Sequence, residues 1–380
     1  MYTTFYGLRE EPFRLTSDPR FFYLAEPHAA ALATVVEAVM RRKGIVLLTG
    51  PIGTGKTTVV HTALQILMEK AASSKPISSA FILNPTLSRE EFLEMLLSEF
   101  EIPCTATSKP ARLAALQRML LETQRKGGTS LLLVDEAHLL TPELLEEIRL
   151  LSNSDTYKEK LLQIVLCGQP ELMDLLRRPE MRALKQRVSS TCSLRPLTVP
   201  EVSTYIAERL RSAGFRGTVC PFPPDVIERI VKLTEGTPRL VNLLCDACLT
   251  GGLRATRAII DLAIVNRAAE ELGLDEIPAA QDWAATDLLG RPSGAGHDFA
   301  GDAVIVSVLD VLVQAMKRRS SSAPSANGVR AEANIKEQVK ASVTTAQERD
   351  PAGSKAIQSA VDVLIQTMKV RPSHSMELSK

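Results

Sequence analysis

Long apolar runs are missing from this chain. None reaches the roughly 18–20 residues that a membrane-spanning helix needs. The N-terminus, MYTTFYGLREEPF, also lacks the charged stretch followed by an apolar stretch that marks a secretory leader. A cytoplasmic protein is the expectation. An excess of one charge is missing too: 45 basic residues face 44 acidic ones, a net charge of +1. That excludes a polyelectrolyte that binds nucleic acid by bulk charge, and leaves a local basic patch open. Cysteine is scarce, with 6 in 380 residues, too few and too scattered for a disulfide framework. Cys104, Cys167, Cys192 and Cys220 stand alone. Cys245 and Cys248 form a CxxC on one helical face, readable as two packed apolar residues or as a redox or zinc pair. The five histidines show no metal-ligand spacing.

What is present is an ordinary soluble composition, 45% hydrophobic and 23% charged, over a length that allows two or three domains. The composition shifts near residue 278. Before it, apolar runs and helical patterns follow one another closely. After it come Ala, Ser, Gly and Pro, as in GRPSGAG (290–296) and SSSAPSANG (320–328), which bury little apolar area and read as linker.

Within the body, GIVLLTG (44–50), SAFILN (79–84), SLLLVDE (130–136), LQIVLCG (162–168) and VSSTCSL (188–194) read as strands separated by helices. Ser88 with Glu91 makes a capping box, and Thr141 followed by Pro142 makes an N-cap with a first-turn proline. Such an alternation implies an α/β domain with a parallel sheet covered on both faces. From Thr198 onward the strands stop, and four helices are expected, at 198–214, 223–236, 237–252 and roughly 256–272. The expected division is 1–195 for the α/β domain, including an N-terminal docking segment at 1–27. A small helical domain follows at 196–277, and a largely disordered tail at 278–380.

Four features carry chemistry. Gly50, Pro51, Ile52, Gly53, Thr54, Gly55, Lys56 and Thr57 fit GxxxxGK[ST], between a strand and a helix. The glycines let backbone N–H groups turn toward phosphate oxygens, and the following helix, with Thr58 in its first turn, adds its positive end. Lys56 would reach the β- and γ-phosphates of ATP, and the Thr57 hydroxyl would bind Mg2+. Second, the strand at 130–136 delivers Asp135 and Glu136 at its C-terminal end, where ligands of parallel sheets bind. Asp135 suits the magnesium shell, and Glu136 suits orienting and deprotonating a water. The run DEAH (135–138) occurs in RNA helicases, but no second α/β domain follows, and His138 reads as structural. Third, Gln169 ends the neighbouring strand, either as a γ-phosphate sensor or as a turn residue before Pro170. Fourth, two arginines stand out. Arg187 precedes the last strand. Arg239 lies in the first turn of a helix behind Thr237 and Pro238, where the helix dipole disfavours a cation unless an anion sits nearby.

In this order the phosphate loop, LLLVDEAH, the strand-end Gln169, KQR and GTPR resemble an AAA+ ATPase with a helical lid. MYTTFYGLREEPFRLTSDPRFFYL, FILNPTLSREEFLEMLLSEFEIP, LQIVLCGQPEL and LKQRVSSTCSLRPLT further resemble the ExeA/GspA family of general secretion pathway ATPases, over roughly residues 1–272. The resemblance implies phosphate and magnesium contacts for Lys56 and Thr57, magnesium and water for Asp135 and Glu136, and a first sensor at Gln169. It also implies a trans-acting arginine at Arg187, a second sensor at Arg239, and assembly into a ring or filament. The N-terminal segment would dock on the sheet and wall the adenine, or serve as plain core anchors. In that family a transmembrane helix and a peptidoglycan-binding domain normally follow, and neither pattern occurs here.

The tail repeats itself. GDAVIVSVLDVLVQAMKRR (301–319) and GSKAIQSAVDVLIQTMKVR (353–371) agree at 10 of 19 positions at an offset of 52. Each carries an apolar stripe at helical spacing, Ile305, Leu309, Leu312 and Met316 in the first and Ile357, Val361, Leu364 and Met368 in the second. They are either docking helices for a protein partner or elements that pack on the chain itself. The leading expectation is an ATP-hydrolysing protein that remodels an assembly of secretion or pilus type. The alternatives are a DNA-associated regulator of the transposition or replication-initiator kind, and a nucleotide-gated scaffold. No DNA-reading segment follows the lid, so DNA is not indicated by these features.

Overall fold

Runs of Ile, Leu and Val without charges can be buried on both faces, and three such strands pair side by side at the centre of this protein's sheet, flanked by two more polar ones. The computed structural model describes residues 1–15, 21, 23–71, 76–103, 108–156 and 159–274; the repeated segments of the tail lie outside these. In chain order the elements are α1 (Tyr2–Phe5), α2 (Glu26–Met40), β1 (Ile45–Thr49), α3 (Lys56–Ala71), β2 (Ile77–Ile82), α4 (Arg89–Glu99), α5 (Lys109–Arg125) and β3 (Thr129–Val134). There follow α6 (Pro142–Leu151), β4 (Leu162–Gly168), α7 (Glu171–Arg177), α8 (Arg182–Lys185) and β5 (Val188–Ser193). The lid helices are α9 (Val199–Ser212), α10 (Pro224–Thr234), α11 (Pro238–Arg254) and α12 (Leu262–Leu272). The strands form one parallel sheet in the order β2-β3-β4-β1-β5.

Strand alternation divides the apolar core in two. Ile45, Leu47, Leu132, Val134, Ile164 and Leu166 face one way, into residues of α4 to α8 such as Phe92, Leu116, Leu145 and Leu172. Val46, Leu48, Leu131, Leu133, Val165 and Cys167 face the other way, into Leu32, Val35, Val59 and Leu67 of α2 and α3. Both faces are thereby closed, which fixes the sheet and aims its C-terminal ends at one edge. The helix starts use local chemistry. Ser88 and Glu91 form the reciprocal capping box, and the Thr141 hydroxyl accepts from Leu144 N.

A third apolar cluster belongs to the lid, and here two expectations need correcting. The N-terminal segment docks on the lid helices, not on the sheet. Tyr2, Tyr6, Leu8, Phe13 and Phe21 are buried among Val202, Ile206, Phe222, Val241 and Leu249. Tyr6 donates to the Arg257 carbonyl at 3.0 Å, and Phe13 meets Phe222 edge-on at 6.0 Å. The physical reason is that α2 and α3 already cover that sheet face, whereas the small helical bundle has grooves left to fill. The last lid helix starts at Leu262, not near 256. Thr256 takes a left-handed conformation (φ 55°) that stops helical continuation after α11, and Asp261 caps the new helix by accepting from Ile264 N at 2.9 Å. Cys245 and Cys248 are both fully buried in the lid core, where burial pushes their thiols up. Among the described residues, no group of three or more His, Cys, Asp or Glu could hold a metal ion, and no helix is long and apolar enough to cross a membrane.

Candidate nucleotide site

β1 ends at Thr49, and the chain then has six residues in which to turn into α3. Gly53 and Gly55 do this with φ of 77° and 93°, a conformation that costs a side-chain-bearing residue about 1–2 kcal/mol. Space also requires glycine: a Cβ on Gly53 would stand 2.9 Å from the Arg239 Cβ. The Lys56 ammonium is buried and lies over the loop, donating to the Gly50 carbonyl at 2.9 Å and the Pro51 carbonyl at 3.0 Å.

The register of β3 on β4 sets Val134 opposite Leu166, so the acids that follow β3 emerge beside the phosphate loop. Asp135 is buried, and its Oδ2 accepts from the Thr57 hydroxyl at 2.7 Å while its Oδ1 accepts from Glu136 N at 2.8 Å. Burial above all, and then the Asp135 charge, push the Cys167 thiol well up, so it stands beside the carboxylate as a neutral group. Glu136 is held in the left-handed region (φ 48°), an uncommon conformation for glutamate and one that clusters at working sites.

Lys56, Thr57, Thr58 and Glu136 line a cleft of about 290 Å³, together with Ile52, Gly53, Thr54 and Gly55 from the same loop. Its opposite wall comes from the lid. Pro238 and Arg239 begin α11 there, and Arg239 N donates to the Gly53 carbonyl at 3.3 Å. Gln169 and Arg187 are not on the cleft wall. The Gln169 amide nitrogen is 2.8 Å from His138 Nε2. Arg187 precedes Val188, which pairs with Ile45 at the start of β1. It therefore sits about 20 Å along the strand from its own phosphate loop, at roughly 3.3 Å per residue.

Several cleft residues escaped the sequence reading. His28 on α2 is buried with Nε2 2.8 Å from the Thr54 carbonyl, and burial first of all holds its imidazole below the ordinary 6.5, hence neutral. The lid adds Tyr205, Arg209 and Asn242, and the N-terminal segment adds Arg14, Phe21 and Tyr23. Buried Arg209 donates to the Pro12 carbonyl at 2.6 Å, the Arg14 carbonyl at 3.1 Å and the Tyr205 hydroxyl at 2.9 Å, which ties that segment to the cleft. The available signal was a cation at an otherwise apolar position of α9.

Comparison with known proteins agrees with this geometry. An AAA domain model matches residues 39–176. General secretion pathway protein A of Aeromonas hydrophila is 41% identical over 250 residues, which is 66% of this chain and 44% of that protein. The chain thus spans less than half the length of the curated relatives it matches. Among solved structures, the ORC2 protein of Aeropyrum pernix in its ADPNP-ADP complexes superposes with a TM-score of 0.52 at 13% identity, over 95% of this chain and 99% of that one. Cdc6p of Pyrobaculum aerophilum superposes at 0.53 and 15%, over 94% and 97%. Those likenesses speak for the fold. Taken with the strand order and the phosphate loop, the family match and the 41% identity show that this chain carries an AAA domain similar to that of General secretion pathway protein A.

Proposed function

We propose that this protein is a magnesium-dependent ATPase that assembles with copies of itself and uses hydrolysis to assemble or remodel a protein complex of secretion or pilus type. The observation that carries the catalytic part is the 2.7 Å bond between Thr57 and Asp135, which joins the phosphate loop to the strand-end acids. Two hard oxygen donors in contact are what magnesium takes, so Thr57 and Asp135 suit it as they stand. Bound there, magnesium would neutralise charge on the β- and γ-phosphate oxygens. Lys56 would exchange its carbonyl partners for those oxygens. Glu136 would take the proton of a water whose oxygen bonds to the γ-phosphorus while the bond to the β–γ bridging oxygen breaks.

Arg187 belongs to this reading as a residue supplied in trans. An arginine side chain cannot span its distance to the loop of the same chain, so it can act only on a neighbour's nucleotide. Such an arginine is worth about 10³–10⁵ in rate. Turnover per subunit should rise with protein concentration. Mixing Arg187→Ala with Glu136→Gln subunits should restore part of the activity that each lacks alone. A rate independent of concentration, with no rescue on mixing, would remove the assembly from the proposal.

A second reading, a DNA-associated AAA+ regulator, has one observation in its favour. Arg178, Arg182 and Lys185 are exposed within eight residues, and none has an ion-pair partner among the described residues. Their phosphate contacts would make DNA binding fall steeply with salt. DNA retention in the presence of ATP, lost on raising salt or on replacing these three residues, would favour that reading over the first.

A further inference from the structure

We infer that His138 is a positioning residue that couples the Glu136 carboxylate to the Gln169 amide, so that the proton acceptor of the reaction and the strand-end amide move as one unit. The inference rests on the ATPase reading above.

The geometry starts from the backbone. Glu136, in its left-handed conformation, turns the chain into a single 3-10 turn, Ala137–Leu139. That turn sits against the end of β4, where a Cβ on Gly168 would come within 3.0 Å of His138 N. Glycine at 168 therefore lets the turn approach closely, and this delivers the imidazole between two side chains from different strand ends. His138 Nδ1 is 3.4 Å from Glu136 Oε2, and His138 Nε2 is 2.8 Å from Gln169 Nε2. The imidazole is 12% exposed, and Glu136 Oε2 is enclosed with no hydrogen bond of its own.

Nδ1 accepts from the Gln169 backbone N–H at 3.5 Å, the long limit of a hydrogen bond, while the Glu136 carboxylate packs against the same nitrogen at 3.4 Å without a hydrogen bond. The imidazole therefore touches the proton acceptor through Nδ1 and the Gln169 amide through Nε2. Because Gln169 lies off the cleft wall, its amide can meet a γ-phosphate oxygen only by leaving Nε2. With ADP no such oxygen competes, and the amide stays on the imidazole. The position of Glu136 then depends on whether the third phosphate is present, through one side chain.

The test uses the full chain and three substitutions. His138→Ala removes both contacts. His138→Asn keeps a polar atom near the position of Nδ1, and His138→Gln keeps one near Nε2. For His138→Ala we expect kcat to fall about 10-fold or more with KM for ATP within about 2-fold, the sign of an interaction needed in the reaction and not in binding. Adding Gln169→Ala to His138→Ala should cost nothing further, because the two act through one link. His138→Asn should recover more kcat than His138→Gln, since it retains the contact to the proton acceptor. An unchanged kcat in His138→Ala overturns the coupling. So does equal recovery by Asn and Gln, or full additivity with Gln169→Ala, since either means the imidazole only fills space. If His138→Ala melts early, the Asn and Gln pair decides the question. A parent chain that binds ATP without hydrolysing it would count against the ATPase reading itself. In that case the coupling is read from binding: His138→Ala should bring the ATP and ADP affinities closer together, and an unchanged ratio overturns it.

Discussion

The two walls of the cleft are built in different ways. The sheet wall is made of groups already bonded to one another: Lys56 to the loop carbonyls, Thr57 to Asp135, and Asp135 to the next backbone N–H. It hangs on strands buried on both faces, so its geometry is set before any ligand arrives. The lid wall has its own apolar core, and its hydrogen bond to the loop at Gly53 is a single long one, at 3.3 Å. What it does hold firmly is the N-terminal segment, through Arg209. A rigid wall facing one with an independent core allows the lid and the segment to shift together over a fixed phosphate site.

This contrast can be broken from either side. Lys56→Ala removes the cation of the fixed wall. ATP affinity should fall by about 100-fold or more, since charge-assisted contacts to phosphate are the strong ones, and the melting curve should stay in place. Calorimetric titration reads the first and a thermal melt the second. Gly53→Ala attacks the seam, because its Cβ would meet the Arg239 Cβ at 2.9 Å on a left-handed backbone. Strain of about 1–2 kcal/mol should weaken nucleotide binding roughly 10-fold. Arg209→Ala breaks the lid's hold on the N-terminal segment. Losing bonds from a buried cation costs about 2–4 kcal/mol, or roughly 5–10 °C of melting temperature in a body of this size. ATP affinity should change much less than in Lys56→Ala.

The smallest effect is a dependence on pH. Burial lowers the His28 value below 6.5, so the unfolded chain takes up the proton first. Stability from this group is present above about pH 6.5 and is lost as the pH falls below it. Melting temperature should decline between pH 7.5 and 5.5, and His28→Gln should make that decline shallower.

The same contrast explains what could be read from the residues alone. The phosphate loop, Asp135, Glu136 and Arg239 sit in short local patterns whose spacing carries their chemistry, and five short runs marked the five strands. His28, Tyr205, Arg209 and Asn242 reach the cleft from three different helices, and no spacing along the chain brings them together. The N-terminal aromatics were legible as anchors. The surface they anchor to depends on which face α2 and α3 leave uncovered, which is a property of the assembled fold. The left-handed turn at Thr256 and the cap at Asp261 mark a break between two helices that apolar periodicity alone does not show. His138 meets Gln169, 31 residues further along the chain, only once the ends of β3 and β4 lie side by side in the sheet.

The central claim is that the fixed wall binds and hydrolyses ATP with Glu136 as the proton acceptor. It is tested most directly by Glu136→Gln, with ATP affinity and turnover measured on the same preparation. An amide keeps the shape and loses the basicity, so affinity should stay within about 2-fold while turnover falls by about 10²–10⁴. Turnover within a few-fold of the parent would contradict the claim.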